Sequence, residues 1–425
     1  MSLRLARLAI ALLALGACAA PRDDRMVAEA REHRGAASSC EEGPREETLR
    51  EEGPREEAQD AADPASVARG AALFERFECA RCHAHEDIAA PPSADCTGCH
   101  RAIHDGAFSR EGITPEVAAR FRAHVRHYLD VPSLDHLDGL VTRAWIATYL
   151  AAPHDLRPNL EETMPALPLT EADTLDLAAF LAPSAVASGA ALPADDASIA
   201  RGAAHFDRLG CGSCHALGAR EPTAAGAPAL APDLAHVRER LVATAIVPFL
   251  LEPARWRPGT SMPALVNDPV VARELAAFLV HGPVDPRPAP APFARLPVLD
   301  RPVTYDELEE RVLRRSCWHC HADESLVYGD GGPGNTGGFG FAPREVDVSS
   351  YTHLLSGALD REGRRASLFR DVRGEPLLLR ALLARHDEVR GVIDPEVRGM
   401  PLGLPPLDAE QIQLVESWIV QGRAR

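Results

Sequence analysis

The sequence predicts a chain of three tandem, helix-bearing domains behind an N-terminal targeting segment and a tether. Three observations predict it: an internal repeat, a two-cysteine-and-histidine motif that occurs four times, and two stretches rich in proline, alanine or serine that divide the chain. The 425 residues leave room for two to four domains.

The N-terminus reads as an export signal. Arg4 and Arg7 precede a short apolar run, Leu8 to Leu15, too short to span a bilayer. The run ends Leu15-Gly16-Ala17-Cys18, which resembles a bacterial lipobox. That resemblance implies removal of residues 1–17 as a signal peptide and lipid on the Cys18 sulfur. The expected location is the periplasmic side of the cell envelope, anchored by lipid to a membrane. Ala19, where an Asp would retain the protein at the inner membrane, favours the outer one. Residues 18–65 carry Glu-Glu-Gly-Pro-Arg-Glu-Glu twice, at 41–47 and 51–57, and almost no large apolar side chains. They cannot bury a core and read as a disordered acidic tether, with Cys40 an incidental thiol. As a flexible coil it reaches roughly 35–45 Å on average.

The repeat defines the domains. Ser66 to His83 aligns with Ser198 to His215 at an offset of 132 residues. Each copy reads as a helix capped by Ser66 or Ser198, with Gly70 or Gly202 allowing a second helix to cross closely. Farther on the offset falls to 100: Pro132-x-Leu134-x-His136 matches Pro232-x-Leu234-x-His236, and Pro153 with Arg157-Pro158 matches Pro253 with Arg257-Pro258. Met164-Pro165 matches Met262-Pro263 at 98, as Leu177 to Leu181 matches Leu275 to Leu279. The first unit, 66–183, therefore holds about 32 extra residues between His83 and Pro132. Within them, Thr114-Pro115-Glu116 opens a helix that carries His124 and His127 on one face. A linker at 184–197 leads to the second unit, 198–282. The Pro-rich stretch 283–302 reads as a semi-rigid spacer. The third unit, 303–425, opens with a capping box of Thr304 and Glu307. It continues through a Gly-rich run, Gly329 to Gly340, which lacks the Lys-Ser/Thr ending of a phosphate loop and reads as a mobile surface loop. It ends in a helix capped by Asp408, with Ile412, Val415, Trp418 and Ile419 inward.

Eight of the ten cysteines fall in C-x-x-C-H motifs: Cys79/Cys82/His83, Cys96/Cys99/His100, Cys211/Cys214/His215 and Cys317/Cys320/His321. This is the attachment pattern of c-type haem, in which each thiol adds across a vinyl group and the histidine supplies the proximal nitrogen. Zinc or disulfide use of C-x-x-C would not need the trailing histidine that all four pairs carry. The expected cofactors are four covalently bound haem c groups, two of them in the first domain because its insert holds Cys96 to His100. Met164, Met262 and Met400 each follow a motif and precede a proline. A thioether is a soft ligand able to take the sixth iron position. The Cys96/Cys99 haem has no spare methionine. Its candidate sixth ligands are His127 first, then His124 and His85; His104 shares the face of His100 and cannot bend over the same ring. His136 and His236 occupy equivalent places and read as residues that orient a ring or a propionate.

On these motifs, residues 66–183 and 198–282 resemble class I cytochrome c domains, and 303–425 resembles the more divergent cytochrome c domains of multi-domain bacterial haem proteins. The resemblance implies an all-α fold class, three tandem cytochrome c-like domains, the first with an inserted second haem motif. It implies the axial pairs His83/Met164, His215/Met262 and His321/Met400. The expected function is electron transfer between redox partners in the bacterial cell envelope, since an iron saturated by two side chains can change charge but cannot bind substrate. The alternatives are a haem-dependent oxidoreductase with an open iron at His100, or a haem subunit of a membrane respiratory complex. A formal charge of −17 argues against nucleic acid and anionic lipid as partners and for redox proteins with basic docking surfaces.

Overall fold

The computed structural model describes residues 60–90, 95–110, 113–123, 125–154, 156–161, 163–186, 189, 191–322, 326, 344–360 and 362–425. The signal segment, Cys18, Cys40, most of the tether, His124 and the Gly-rich run lie outside the described residues. What is described is mostly helical, and no helix in it is long and apolar enough to cross a membrane.

The first part of the chain forms α1 (Pro64–Arg76), α2 (Cys96–Asp105), α3 (Pro115–Arg122), α4 (Arg143–Ala151) and α5 (Glu171–Leu181). The second forms α6 (Asp196–Arg208), α7 (Val237–Arg240), α8 (Ala243–Leu251), α9 (Pro253–Trp256) and α10 (Pro269–His281). The repeat is visible in their packing: α1 crosses α5, and α6 crosses α10. The crossings are as close as the glycines suggest. A Cβ on Gly70 would lie 2.0 Å from the Asp176 carbonyl oxygen, and one on Gly202 would lie 2.0 Å from that of Glu274. The helix caps differ from expectation. Asp63 and Asp195, not the serines, accept the N–H groups of Ser66 and Ser198, at 3.2 and 2.9 Å. A carboxylate at the positive end of a helix gains from the dipole as well as from the hydrogen bond. Ser66, left inside the first turn, turns its hydroxyl to Asp176 across the crossing.

Each crossing is fastened by one carboxylate. Asp176 takes Arg69 at 2.6 Å; Glu274 takes Arg201 at 2.6 Å and His205 at 2.9 Å. Hydrogen bonds from these guanidiniums hold both carboxyls below their usual range. A depressed folded pKa gives stability that is present above the unfolded carboxylate pKa of about 4 and is lost as pH falls through the folded value. Acid titration followed by circular dichroism should therefore lose helix from about pH 4 downward, and Asp176→Asn with Glu274→Gln should flatten that limb. An unchanged acid limb in the double variant would contradict the assignment.

The two halves meet through repeat-equivalent residues. Thr142 N–H donates to the Arg240 carbonyl at 2.9 Å, Val242 N–H donates to the Leu140 carbonyl at 3.0 Å, and Val141 pairs antiparallel with Leu241. Positions 100 residues apart pairing with their own equivalents is the mark of a local two-fold. The buried cluster around Phe74, Trp145 and Leu177 accordingly also takes in Val242 and Ala245, while Phe206, Ile246 and Leu275 anchor a second cluster.

The third part forms α11 (Tyr305–Leu308), a π-helical stretch (Glu309–Cys317), α12 (Trp318–His321), α13 (Tyr351–Ser356), α14 (Leu377–Glu388) and α15 (Ala409–Val420). Two short antiparallel pairs, β1 (Ala358–Leu359) with β2 (Arg365–Ala366) and β3 (Asp371–Val372) with β4 (Glu375–Pro376), depart from a purely helical build. Its core gathers Trp318, Leu354, Ile412 and Trp418. Asp408 forms its capping box with Gln411 as the opening of α15, whereas Glu307 turns to Arg301 and Arg311 instead of back to Thr304. The Pro-rich stretch is extended as expected but is fastened down. Asp285 accepts from Ala219 N–H at 2.9 Å, Arg287 pairs with Glu221 at 2.7 Å, and Phe293 stacks on His386 at 3.8 Å. Arg295 pairs with Glu375 and Glu416, and Leu299 N–H donates to Ser417 at 2.9 Å. A chain with few free N–H groups still offers carbonyls and side chains, so it acts as a strap rather than a spacer.

Candidate functional site

Each motif folds so that its two sulfurs and its imidazole share one turn. Glu78 and Gly210, both left-handed at φ 54° and 71°, reverse the chain into 3₁₀ turns at Cys79–Arg81 and Cys211–Ser213. His83 N–H and His215 N–H then donate to the carbonyls of Cys79 and Cys211 at 3.0 and 3.1 Å. The inserted motif instead opens α2, capped by Asp95, whose side chain accepts from Gly98 N–H at 2.7 Å. The last motif ends the π-helical stretch and fills α12.

The four motif histidines share one electrostatic setting. His83 donates its Nδ1 proton to the Pro132 carbonyl at 2.8 Å, His215 to that of Pro232 at 2.9 Å, and His100 to that of His127 at 2.8 Å. His321 hydrogen-bonds to the backbone of Val346. A backbone carbonyl can only accept, so in the first three Nδ1 carries the proton. Burial pushes the pKa of all four histidines down. The rings are therefore neutral, and where Nδ1 is committed the lone pair sits on Nε2, as a metal-ligating imidazole requires. Pro132 and Pro232, matched in the repeat, do the same work.

The sulfurs differ: the hydrogen bond with Cys82 pulls the Cys96 thiol down, while others are pushed up. Burial pushes the Cys79 and Cys317 thiols up to about 12 and Cys320 to about 11. Zinc needs thiolate ligands, and among the described residues no three His, Cys, Asp or Glu side chains converge as a metal cage would need. The eight motif cysteines are unbridged.

Cys79, Cys82 and His83 open onto a cavity of about 360 Å³, and Met164 lines it too. Phe74, Trp145 and Leu177 give it apolar walls. Four arginines also line it: Arg126 and Arg157 from the first repeat, and Arg240 and Arg257 from the second. Arg240 is buried, and burial together with the charges of Arg157 and Arg257 pushes its pKa down to about 9. Arg157, Arg240 and Arg257, close enough to repel one another in one apolar cavity, are a setting for a large apolar ligand that carries anionic groups. A haem, with its two propionates, has that character, and Cys79, Cys82, His83 and Met164 are the side chains that would hold it. Met262 packs against the second core, and Met400, against the third, donates its N–H to the Ala381 carbonyl at 2.9 Å.

Several expected residues lie elsewhere. α3 stops at Arg122, and Tyr128 adopts a left-handed backbone at φ 67°, so His127 is off the helix. Its carbonyl receives the Nδ1 proton of His100, which puts its main chain behind that ring, away from Nε2. Its imidazole lines the first cavity, 3.5 Å from Glu161. His127 therefore meets His100 through its backbone carbonyl, which orients that ring, and is not on the helix from which it was expected to reach an iron. His85 stacks on Phe180 and lies tilted against Phe74, each at 5.0 Å, and belongs to the α1–α5 packing. His104 pairs with Asp105 at the surface. His236 sits in an aromatic group with Trp145 and His154, at 5.2 and 5.8 Å, on the boundary between the repeats.

Other residues went unread in the sequence. Arg385 and Glu388, one helical turn apart on α14, form a buried pair at 3.1 Å. Arg385 also donates to the carbonyls of Leu404 at 2.9 Å and Met164 at 3.3 Å, and Glu388 accepts from Gly399 N–H at 2.6 Å. Tyr128, whose hydroxyl donates to the Gly403 carbonyl, lies 5.0 Å from His100. The inserted motif thus sits against both the first cavity and the third part of the chain. No protein-family model, curated protein or solved structure matches this chain.

Proposed function

We propose that the chain is a tetrahaem c-type cytochrome that passes electrons between redox proteins in the bacterial cell envelope. The observation that carries this reading is the shared state of the motif histidines: each is half-buried, has its pKa pushed down by desolvation, and is tied to a backbone carbonyl beside its pair of unbridged cysteines. Bound haem would supply an iron that takes up and releases one electron. The chain's own residues do the rest. Cysteines hold the ring covalently, carbonyls of Pro132, His127 and Pro232 set the imidazole direction, and apolar walls keep water from the first cavity. Met164, Met262 and Met400 are the proposed ligands that close three irons. Arg157, Arg240 and Arg257 neutralise propionates. The acidic surface favours basic partners, and lipid at Cys18 would hold the chain to a membrane.

The test is a haem count. Protein made with the c-type maturation machinery and assayed as its pyridine haemochrome should hold four haems per chain, with a matching mass increment. Each Cys-to-Ala pair, such as Cys211→Ala with Cys214→Ala, should remove one. A wild-type count of zero, or zinc in its place, would sink the reading.

A further inference from the structure

The second variable position of the last motif, Cys317-Trp318-His319-Cys320-His321, is itself a histidine. In the structure the His319 ring lies 6.2 Å, centre to centre, from the ring of His100, with the planes 72° apart. Two imidazoles bonded to one metal ion, with metal–nitrogen bonds of about 2 Å and ring centres about 1 Å behind each nitrogen, stand about 6 Å apart. The same separation falls within ordinary edge contact of aromatic rings, about 4.5–7 Å, so the geometry calls for a test that tells a shared metal from simple packing.

Three further observations favour a shared metal. His100 has its Nδ1 committed to the His127 carbonyl, which leaves Nε2 as its ligating atom. The inserted and last motifs are neighbours: Cys96 lies within electrostatic reach of Cys320, and half-buried Tyr128 within reach of Cys82, Cys96 and Cys320 together. The three methionines among the described residues each sit with the core of a different domain or line its cavity, which leaves the inserted motif to a ligand of another kind. We propose that His319 is the sixth ligand of the iron held by His100, donated across the domain boundary by the last motif. The proposal rests on the haem reading above. It makes the docked third domain the group that closes the inserted haem. A nitrogen in place of a thioether also gives that haem a lower potential than the methionine-ligated ones, since Met/His ligation raises the potential.

The experiment uses the full-length, haem-loaded protein. The haem count comes first, because a count short of four in the wild type fails the haem reading and not the ligand. With four present, near-infrared magnetic circular dichroism of the ferric wild type should give one bis-histidine haem in four and three histidine–methionine haems. Four histidine–methionine haems, or one high-spin haem in four, would overturn the proposal without any variant. His319→Ala should then turn one haem in four high-spin and able to bind carbon monoxide when reduced, with free imidazole restoring the low-spin signal. His319→Met, which keeps a ligating side chain, should move the same haem into the histidine–methionine class. A bis-histidine signal that survives both substitutions would mean that His319 only packs against His100.

Discussion

Replacing Arg385 by methionine is expected to destabilise the folded protein by about 3–5 kcal/mol, the usual cost of leaving one partner of a buried ion pair without the other. Arg385 is 1% exposed, Glu388 3%. The substitution strands the Glu388 carboxylate, which then has the Gly399 N–H at 2.6 Å but no longer the guanidinium. It also takes a donor from two carbonyls at once, those of Met164 and Leu404. Met164 and Met400 stand on loops of the first and third parts of the chain, and this one guanidinium, with its partner carboxylate, reaches both loops. The expected signature is therefore double: a fall in the chemical-denaturation midpoint, and weakening of the ferric methionine–iron charge-transfer band at two haems rather than one. Arg385→Met with Glu388→Gln removes both charges and should recover most of the stability but not the band. If the single and double variants lose equal stability, the pair is not the element that matters.

Residues close in sequence were legible and those joined only by the fold were not. Gly70 and Gly202 announced a close crossing because a missing Cβ in a helix is a local fact with one common use, and the crossing is there. The repeat placed Pro132 and Pro232 in register, and their carbonyls take the same histidine protons. The helix caps were misread by three residues because Ser66 and Asp63 are both good caps, and only the contact of the Ser66 hydroxyl with the Asp176 carboxylate across the crossing decides between them. His127 was misread for a similar reason. A helix from Thr114 long enough to present it is compatible with the local sequence. The turn at Tyr128, whose ring reaches Gly403 in the third part of the chain, ends that possibility from 275 residues away. His319 lies at a motif position that tolerates many residues, so its neighbour His100 could not be guessed. The strap at 283–302 reads as a spacer because its composition sets stiffness, while its contacts are set by α14 and α15.

Arg240 gives the sharpest test of what the first cavity is for, because its removal should act in opposite directions on loaded and empty protein. In the empty protein the three guanidiniums of Arg157, Arg240 and Arg257 share an apolar cavity, and Arg240 is held down to about 9 by burial and by the other two charges. Replacing a buried charge by an apolar side chain of similar volume is often stabilising, by about 1–4 kcal/mol, so Arg240→Met should raise the midpoint of unloaded protein made without haem maturation. The backbone bond from Thr142 N–H to the Arg240 carbonyl is untouched by the change. In protein loaded as proposed, the same guanidinium would face anionic propionates and a ferric iron. Losing it favours the oxidised, more positive state, so the midpoint potential of that haem should fall by on the order of 50 mV, the scale of a unit charge acting through a partly screened interior. The gain in stability should shrink or reverse as well. Denaturation of both forms and a potentiometric titration of the loaded one decide it. If Arg240→Met stabilises loaded and empty protein alike and leaves every potential in place, the arginines serve the boundary between the repeats and not an anionic ligand in the cavity.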